Sequence, residues 1–329
     1  MNPNRIEMKL IDRWQRDFPL VERPFALVGR SVDLEEDETI KTFHRLRDAG
    51  VIARIGAVVK PHRVGMSTLA AMQVPPDRLD EVAAVVSGEA LVNHNYSRTH
   101  AINLWFVIAG PHTDAVVGTI KRIERQTDLA VLDLPLVEAY HLDLGFSLTG
   151  ERPRQRSASN EPSDYRPDRR DRGLLAAIED GLPIVERPYR EVAGNLGIKE
   201  DEVIERLQRL TAAGVVSRFG CVVRHRVLGY TANAMAVWDV PDDMVERVAR
   251  CFVSNPQVTL CYRRPRRLPD WPYNMFCMVH AKTRGDAYGV IDNLNFVAQT
   301  GLNRQAVLFS QQCYKQRGAV FSDSKRAMH

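Results

Sequence analysis

The chain has 329 residues, too many for one ordinary domain and enough to bury two or more hydrophobic cores. Hydrophobic residues make up 44% of it, charged residues make up 26%, and the mean hydropathy is −0.28, as is typical of a soluble globular protein. No apolar run reaches the roughly 18 residues that a membrane span requires, and a net charge of +4 suits an acidic small molecule as well as nucleic acid.

The start of the chain and the cysteines predict where the protein works. The first residues, MNPNRIEMKLIDRW, lack the apolar stretch of a secretory signal. The five cysteines are scattered over the second half without a C-x-x-C pair, which favours reduced thiols over a disulfide framework or a zinc module. We therefore expect a cytoplasmic protein with no membrane segment.

The sequence contains one unit written twice. Residues 19–25 (PLVERPF) recur as residues 183–189 (PIVERPY), and RLRDAGVIARIGAVV at 45–59 recurs as RLTAAGVVSRFGCVV at 209–223. Later matches lie further apart because the second copy carries insertions, one of which is PRRLPDWP at 265–272. Two copies of this length indicate a tandem duplication and not a solenoid array.

Each copy begins with helical spacing and then changes to a β-type pattern. In copy 1, helical spacing covers residues 5–17 and 35–49, and the β-branched run VIARIGAVV follows Gly50. This order is typical of a winged helix-turn-helix. The rest of copy 1 predicts a strand at 68–74, a helix at 77–87, strands at 91–98 and 102–109, a helix at 112–126 and a strand at 130–140. The βαββαβ order predicts a ferredoxin-like sandwich, in which two helices cover one face of an antiparallel sheet.

Copy 2 repeats the pattern, with helical spacing at 173–181 and 200–213 and a sandwich from 231 to about 321. The residues between the copies are rich in Arg, Ser, Pro and Asp, which favours a flexible, solvated linker. We predict an α+β fold with a winged helix-turn-helix at 1–62, a ferredoxin-like domain at 63–148, a linker at 149–172, a second winged helix-turn-helix at 173–226 and a second ferredoxin-like domain at 227–322.

The module order resembles the Lrp/AsnC regulators, and RLRDAGVIARIGAVVKPHRVG at 45–65 is close to their helix–wing–strand signature. In those proteins the second helix of the motif reads DNA bases with its N-terminal residues. Here the matching positions hold the acidic stretches LEEDE (34–38) and KEDE (199–202), which phosphates would repel. The resemblance thus implies a sandwich of the Lrp/AsnC effector type, and we expect the helix-turn-helix to be inherited structure with no DNA partner.

Two further tracts resemble a more specific family. HNYSR (94–98) followed by NLWFVI (103–108), and YRRPRRLPDWPYNMFCMVH (262–280), look like the siroheme decarboxylases, and the whole chain except the linker is similar to their fused D–L form on the haem d1 route. The resemblance implies a non-oxidative carboxy-lyase that removes CO2 from the C12 and C18 acetates of siroheme, giving 12,18-didecarboxysiroheme. It implies siroheme as partner, further decarboxylase subunits as additional partners, and no cofactor beyond the iron-containing substrate.

The residue types fit a polycarboxylate ligand, because arginine forks match carboxylates. Strand alternation places every second residue on one face, and this predicts one such face on each of two successive strands in each copy. The first pair is Val92, His94, Tyr96 and Arg98 against Val258, Leu260, Tyr262 and Arg264, and the second is Asn103, Trp105, Val107 and Ala109 against Asn274, Phe276, Met278 and His280. Each copy therefore has a histidine that the other lacks, as divided roles on a duplicated scaffold would require.

Decarboxylation needs an electron sink, and protonation of the macrocycle by an acid with a pKa near neutral creates one. We expect His94 to donate this proton, Tyr96 to orient it or relay the proton, and His280 to be a second donor or an axial iron ligand. The predicted substrate-binding residues are Arg98, Arg54, Arg218, Tyr262, Arg263, Arg264, Arg266, Trp271, Tyr273, Asn103 and Asn274. The cationic, aromatic insertion around Trp271 is expected to cap the flat macrocycle.

Structural alternatives stay open at these positions. The tyrosines could be core residues, the strand-end arginines surface charges and His280 a buried structural residue. Arg54 and Arg218 could be wing contacts that tie the two modules together, and the insertion a solvated loop. The histidines form no H-x-x-H or H-E-x-x-H pattern, so no protein-built metal site is predicted. A transcriptional regulator, or a tetrapyrrole-binding partner without catalysis, remains the alternative function.

Overall fold

The structure is a computed structural model that describes residues 3–60, 63–142, 145, 165–299 and 304–318. The chain divides into two compact units. Unit 1 comprises Met1–Val64 and Asp143–Gly229, and unit 2 comprises Gly65–Leu142 and Tyr230–His329. Each unit therefore combines parts of both copies. Among the described helices, none is long and apolar enough to cross a membrane.

The elements alternate along the chain as the duplication requires. The described helices are α1 (Arg5–Arg13), α2 (Pro24–Arg30), α3 (Glu36–Asp48), α4 (Leu79–Gly88), α5 (Thr113–Thr127), α6 (Arg169–Ala177), α7 (Pro188–Leu196), α8 (Glu200–Ala212), α9 (Val245–Val253) and α10 (Arg284–Ala298). The described strands are β1 (Ile52–Val59), β2 (Met66–Met72), β3 (Val92–Arg98), β4 (Leu104–Gly110), β5 (Leu132–Pro135), β6 (Glu138–Leu142), β7 (Val216–Val223), β8 (Ala232–Trp238), β9 (Val258–Arg263), β10 (Met275–Ala281) and β11 (Gln305–Gln316).

Unit 1 holds the helix-turn-helix helices (α1–α3 and α6–α8) and the wings of both copies. Prolines at the first turn start α2 and α7, two helices that lie outside the predicted helical spans. The wings β1 and β7 pair with each other as a two-stranded antiparallel sheet. Reciprocal main-chain hydrogen bonds join the copies, since the Phe18 amide donates to the Phe219 carbonyl (3.0 Å) and the Leu182 amide donates to the Ile55 carbonyl (2.7 Å).

The predicted linker at 149–172 is wrong at its C-terminal end. Residues 149–164 lie outside the described residues, but α6 already begins at Arg169 with a capping box between Asp168 and Asp171. Asp171 is fully buried and accepts hydrogen bonds from the Tyr165 hydroxyl (2.5 Å) and the Arg206 Nη1 (2.8 Å). The polar composition of this stretch therefore serves a helix start and an ion pair.

Unit 2 contains one nine-stranded sheet in the order β5-β2-β4-β3-β11-β8-β10-β9-β6. The strand β11 joins the halves from the two copies, because its first part pairs with β8 and its second part with β3. The halves pack face to face through a shared core that includes Trp105, Tyr262, Trp271 and Phe276. On its outer face each half carries the helices of its own copy, with α4 and α5 on one side and α9 and α10 on the other.

The strand predicted at 130–140 is two strands in the structure. The chain breaks at Leu136 and Val137, so that β5 pairs with β2 of its own copy while β6 crosses to β9 of the other copy. The β11 strand crosses in the same way from β8 to β3. Each copy still forms its own four-stranded antiparallel sheet, β5-β2-β4-β3 in copy 1 and β11-β8-β10-β9 in copy 2, so the predicted βαββαβ sandwich and the α+β fold class are confirmed.

The predicted faces of β3 and β9 are wrong at their first residues. Val92 and Val258 belong to the cores under the helices, whereas Leu260 and Tyr262 face the core between the sheet halves. A register shift interrupts the ladder between Val92 and His94, and a matching shift lies at Val258. Such a bulge inserts one residue and changes the face of everything before it.

Candidate functional site

The C-terminal half of β3 brings His94, Tyr96 and Arg98 together. The rings of His94 and Tyr96 are stacked, with centroids 6.3 Å apart and planes at 16°. The Arg98 guanidinium carbon lies 5.9 Å from the centroid of the Tyr96 ring. The alternation that was predicted from the sequence therefore holds after the bulge, and the three side chains form one continuous polar and aromatic surface.

Arg98 is a buried cation without a carboxylate partner among the described residues. Only 8% of it is exposed, its Nη1 donates to the Leu308 carbonyl at 3.1 Å, and its Nε has no hydrogen-bond partner in the described part of the chain. Burial lowers the pKa of Arg98 to about 10, and its main electrostatic neighbours are Tyr262 and Tyr96. A buried, incompletely bonded guanidinium is suited to an anionic ligand, because the ligand would supply the missing charge and acceptors.

His280 lies on β10, within the electrostatic reach of Arg98. Its Nδ1 is 2.5 Å from the Oδ1 of Asn233 on the neighbouring strand β8. Burial and then the charge of Arg98 lower the pKa of His280 to about 4. The imidazole is therefore neutral at pH 7, with one N–H and one nitrogen lone pair, so it can act as a metal ligand but not as the acid that an imidazolium would be.

The second site that the duplication generates keeps the arginine and the tyrosine but has neither histidine. The Arg264 guanidinium carbon lies 4.6 Å from the Tyr262 ring centroid, and its Nη1 donates to the Leu134 carbonyl. Burial lowers the pKa of Arg264, as it does for Arg98. Because Leu260 stands in the place of His94, and Ala109 in the place of His280, both histidines belong to one of the two matching sites.

Arg263 and Arg266 do not join this group. The Arg263 Nη2 donates to Asp242 at 2.8 Å, and the Arg266 Nε donates to Asp239 at 2.8 Å. These arginines lower the pKa of Asp242, with Arg266 contributing most. Asp239 and Asp242 thus neutralise both arginines within the protein, and the predicted contact of these arginines with substrate stays a prediction.

Trp271 is not a cap over an open face. Its side chain is fully buried in the core between the sheet halves, 5.0 Å from the Trp105 ring and 4.9 Å from the Tyr273 ring. The insertion folds back on itself, because the main chains of Arg267 and Trp271 exchange two hydrogen bonds of 2.7 Å. The predicted lid is thus wrong, and the loop delivers aromatic side chains to the core that underlies the site.

Asn103 and Asn274 have the same structural role in the two copies. The Asn103 amide donates to the Val74 carbonyl and accepts from the Val74 amide, both at 2.9 Å. Asn274 makes the same pair of 2.9 Å bonds with Val240. Both side chains hold the main chain that follows the first strand of each sandwich, and their predicted contact with substrate stays a prediction.

Arg54 and Arg218 lie in unit 1, on the paired wings β1 and β7. The Arg54 Nη2 donates to the Ala57 carbonyl at 3.2 Å, and burial lowers the pKa of Arg54. Arg218 is buried. Their predicted contact with substrate stays a prediction.

Sequence reasoning missed Asn233 and the carbonyl of Leu308. Asn233 has a sequence signal, because the matching residue of copy 1 is Ser67 and the two copies differ there together with the His280 position. The Leu308 carbonyl has none, because only the crossing of β11 brings it to Arg98. Within the described ranges, no cluster of three or more His, Cys, Asp or Glu side chains could hold a metal ion.

Comparisons with known proteins agree with this architecture. Residues 63–141 and 227–315 match the AsnC-like ligand binding domain, and residues 7–52 and 171–216 match the siroheme decarboxylase NirDL-like HTH domain. The siroheme decarboxylase NirDL subunit of Paracoccus pantotrophus is 43% identical over 98% of this chain and 99% of its own length.

Two solved structures share the fold along nearly the whole chain. The crystal structure of the siroheme decarboxylase NirDL is 29% identical, with a TM-score of 0.71 over 98% of this chain and 96% of that one. The same enzyme in co-complex with an iron-uroporphyrin III analogue is 28% identical, with a TM-score of 0.68 over 98% of this chain and 95% of that one. With the shared helix-turn-helix and ligand-binding modules, these similarities establish that the chain belongs to the siroheme decarboxylase family.

Proposed function

We propose that this chain is a siroheme decarboxylase that removes CO2 from the C12 and C18 acetates and yields 12,18-didecarboxysiroheme for haem d1. The observation that carries the proposal is Arg98, a buried guanidinium without a carboxylate partner among the described residues, beside the stacked rings of His94 and Tyr96. A flat polycarboxylate complements both features, since its rim supplies anions and its ring supplies an apolar face. The binding of an iron-uroporphyrin III analogue to a solved relative supports this choice of ligand.

The reaction exchanges one carboxylate for one proton in each acetate. The bond between the methylene carbon and the carboxylate carbon breaks, CO2 leaves, and the macrocycle holds the electron pair until the methylene carbon takes a proton and becomes a methyl group. No electron acceptor is consumed, so no cofactor beyond the substrate is required. The protein must therefore hold the spectator carboxylates, place a proton and exclude water.

We assign these tasks to the side chains of unit 2. Arg98 and Arg264 hold spectator carboxylates, His94 delivers the proton, and Tyr96 orients His94 through the stacked contact. His280 is better suited as a nitrogen ligand to the iron of siroheme than as a second acid, because an imidazole with a pKa of about 4 is not in the acidic imidazolium form at pH 7.

We further propose that the enzyme works in the cytoplasm. All five cysteines are free thiols, and three of them (Cys221, Cys261 and Cys277) are buried. A reducing compartment is where free thiols of this kind persist.

Anaerobic incubation of the purified chain with siroheme, followed by mass analysis of the extracted tetrapyrrole, tests the proposal. We expect the loss of two CO2 units. Loss of one would restrict the chain to half of the reaction, and an unchanged mass would overturn the catalytic assignment. The matched variants are His94→Leu and His280→Ala, because each installs the residue that the other copy carries at that position. If both variants kept full activity, the assigned roles of the histidines would be wrong.

A further inference from the structure

Asn233 is the one polar residue that lies directly opposite His280 in the β8–β10 ladder. The antiparallel register places the two residues side by side, and the Oδ1 of Asn233 is 2.5 Å from the Nδ1 of His280. Met235 and Met278, two residues away on the same strands, belong to or pack against the core between the sheet halves. Asn233 and His280 therefore face the same side of the sheet as the proposed site.

We propose that Asn233 is a positioning residue that fixes His280 as the tautomer with its hydrogen on Nδ1. An amide oxygen only accepts hydrogen bonds, so the ring nitrogen that meets it must be the donor. In a neutral imidazole the other nitrogen, Nε2, then carries the lone pair. This inference rests on the proposed function in one respect only, namely that Nε2 binds the iron of siroheme.

The other copy provides an internal comparison. The matching register in the β2–β4 pair places Ser67 opposite Ala109. Both members of the Asn233–His280 pair are therefore replaced together, although the neighbouring tyrosine and arginine are kept. The joint replacement is what a pair with one shared role predicts, and it makes Ser67 a control position with the same backbone setting.

The tautomer can be measured in the resting protein without substrate. We would record 15N NMR shifts of the histidine ring nitrogens at pH 8 for the full chain, with His280→Ala to assign the resonances. We expect the hydrogen on Nδ1 in the wild type and in Asn233→Asp, which keeps an acceptor oxygen. Asn233→Leu should lose this preference, and Ser67→Ala should leave the His280 shifts unchanged. A wild-type ring protonated at Nε2 or at both nitrogens, or an unchanged tautomer in Asn233→Leu, would overturn the inference.

Turnover of siroheme then separates this inference from the proposed function. We expect decarboxylation to be about 10- to 100-fold slower in Asn233→Leu, because loss of a partner behind a metal ligand has effects of that size. Asn233→Asp should restore most of the rate, and Ser67→Ala should match the wild type. Circular dichroism would verify that all variants are folded, and Asn233→Ser, which installs the residue of copy 1, replaces Asn233→Leu if the latter does not fold. The expected tautomers without any turnover would support the positioning role while the proposed function fails.

Discussion

Replacement of Arg98 by methionine should stabilise the unliganded protein and weaken its binding of a tetrapyrrole. Burial lowers the pKa of Arg98 from its ordinary value to about 10, which corresponds to about 3 kcal/mol of destabilisation of the folded state by the cation. At pH 7, below both pKa values, this whole penalty is present. The variant also loses the hydrogen bond to the Leu308 carbonyl, which contributes about 1 kcal/mol.

Arg98→Met should therefore raise the free energy of unfolding of the unliganded protein by roughly 2 kcal/mol, which is a rise in Tm of roughly 4 to 8 °C for a unit of this size. Binding should change in the opposite direction. A hydrogen bond between a guanidinium and a carboxylate contributes about 1.5 to 3 kcal/mol, so the Kd for a carboxylated iron porphyrin should rise by about 10- to 150-fold. The gain in stability and the loss of binding follow from one cause, namely a buried positive charge for which the bound ligand supplies the counter-charge.

Thermal unfolding and absorbance titration with iron-uroporphyrin III measure the two effects on the same samples. Arg122→Met is the matched control, because Arg122 is 44% exposed and pairs with Glu89 on the surface of α5. Its loss should change stability by no more than about 1 kcal/mol and leave binding unchanged. An Arg98→Met variant that is less stable than the wild type, or that binds the porphyrin equally well, would refute the role given to this buried charge.

Three further outcomes are expected. His94→Leu should slow decarboxylation by about 100-fold or more in single-turnover assays while the Kd for iron-uroporphyrin III changes only a few-fold, and a loss of rate below tenfold would contradict its role as acid. His280→Ala should make the protein less sensitive to acid. Because the pKa of His280 is lowered from 6.5 in the unfolded chain to about 4 in the folded protein, the unfolded chain takes up the proton first as the pH falls. In urea unfolding, the free energy of unfolding of the wild type should therefore drop relative to that of the variant by about 2 to 3 kcal/mol between pH 6.5 and pH 4. Arg206→Met should destabilise unit 1 by about 3 kcal/mol, because it leaves the fully buried Asp171 without its ion pair. The control Arg170→Met, which removes the exposed pair with Glu202, should cost no more than about 1 kcal/mol. Equal melting curves for the two variants would disprove this difference.

Local patterns in the sequence were sufficient for the order of the elements. Helical spacing, the glycines after α3 and α8, and the repeated VERP tracts act over short distances, so they predict helices, wings and the duplication itself. The same holds for His94, Tyr96 and Arg98, which share a face because they alternate after the bulge. Strand period and short-range motifs were thus enough to predict the fold class and the common face of these three candidate residues.

Pairings between distant strands could not be predicted in this way. The crossing of β6 and β11 depends on which strand edge is open after the chain folds, and nothing near Val137 or Leu308 encodes that choice. Val92 was placed on the wrong face because a one-residue bulge leaves no local signature. Trp271 was predicted to be an exposed stacking residue because its sequence neighbours are rich in arginine, whereas its side chain fills a core that residues of both copies form.

The most direct test of the central claim is turnover of siroheme by the chain alone in anaerobic D2O, followed by mass and NMR analysis of the product. Replacement of CO2 by a solvent proton, delivered through an exchangeable histidine, predicts the loss of two CO2 units and one deuterium in each of the two new methyl groups. His94→Leu should slow the appearance of both signals together, by about 100-fold or more. Recovery of siroheme with its mass unchanged, or loss of CO2 without deuterium in the new methyl groups, would contradict the account.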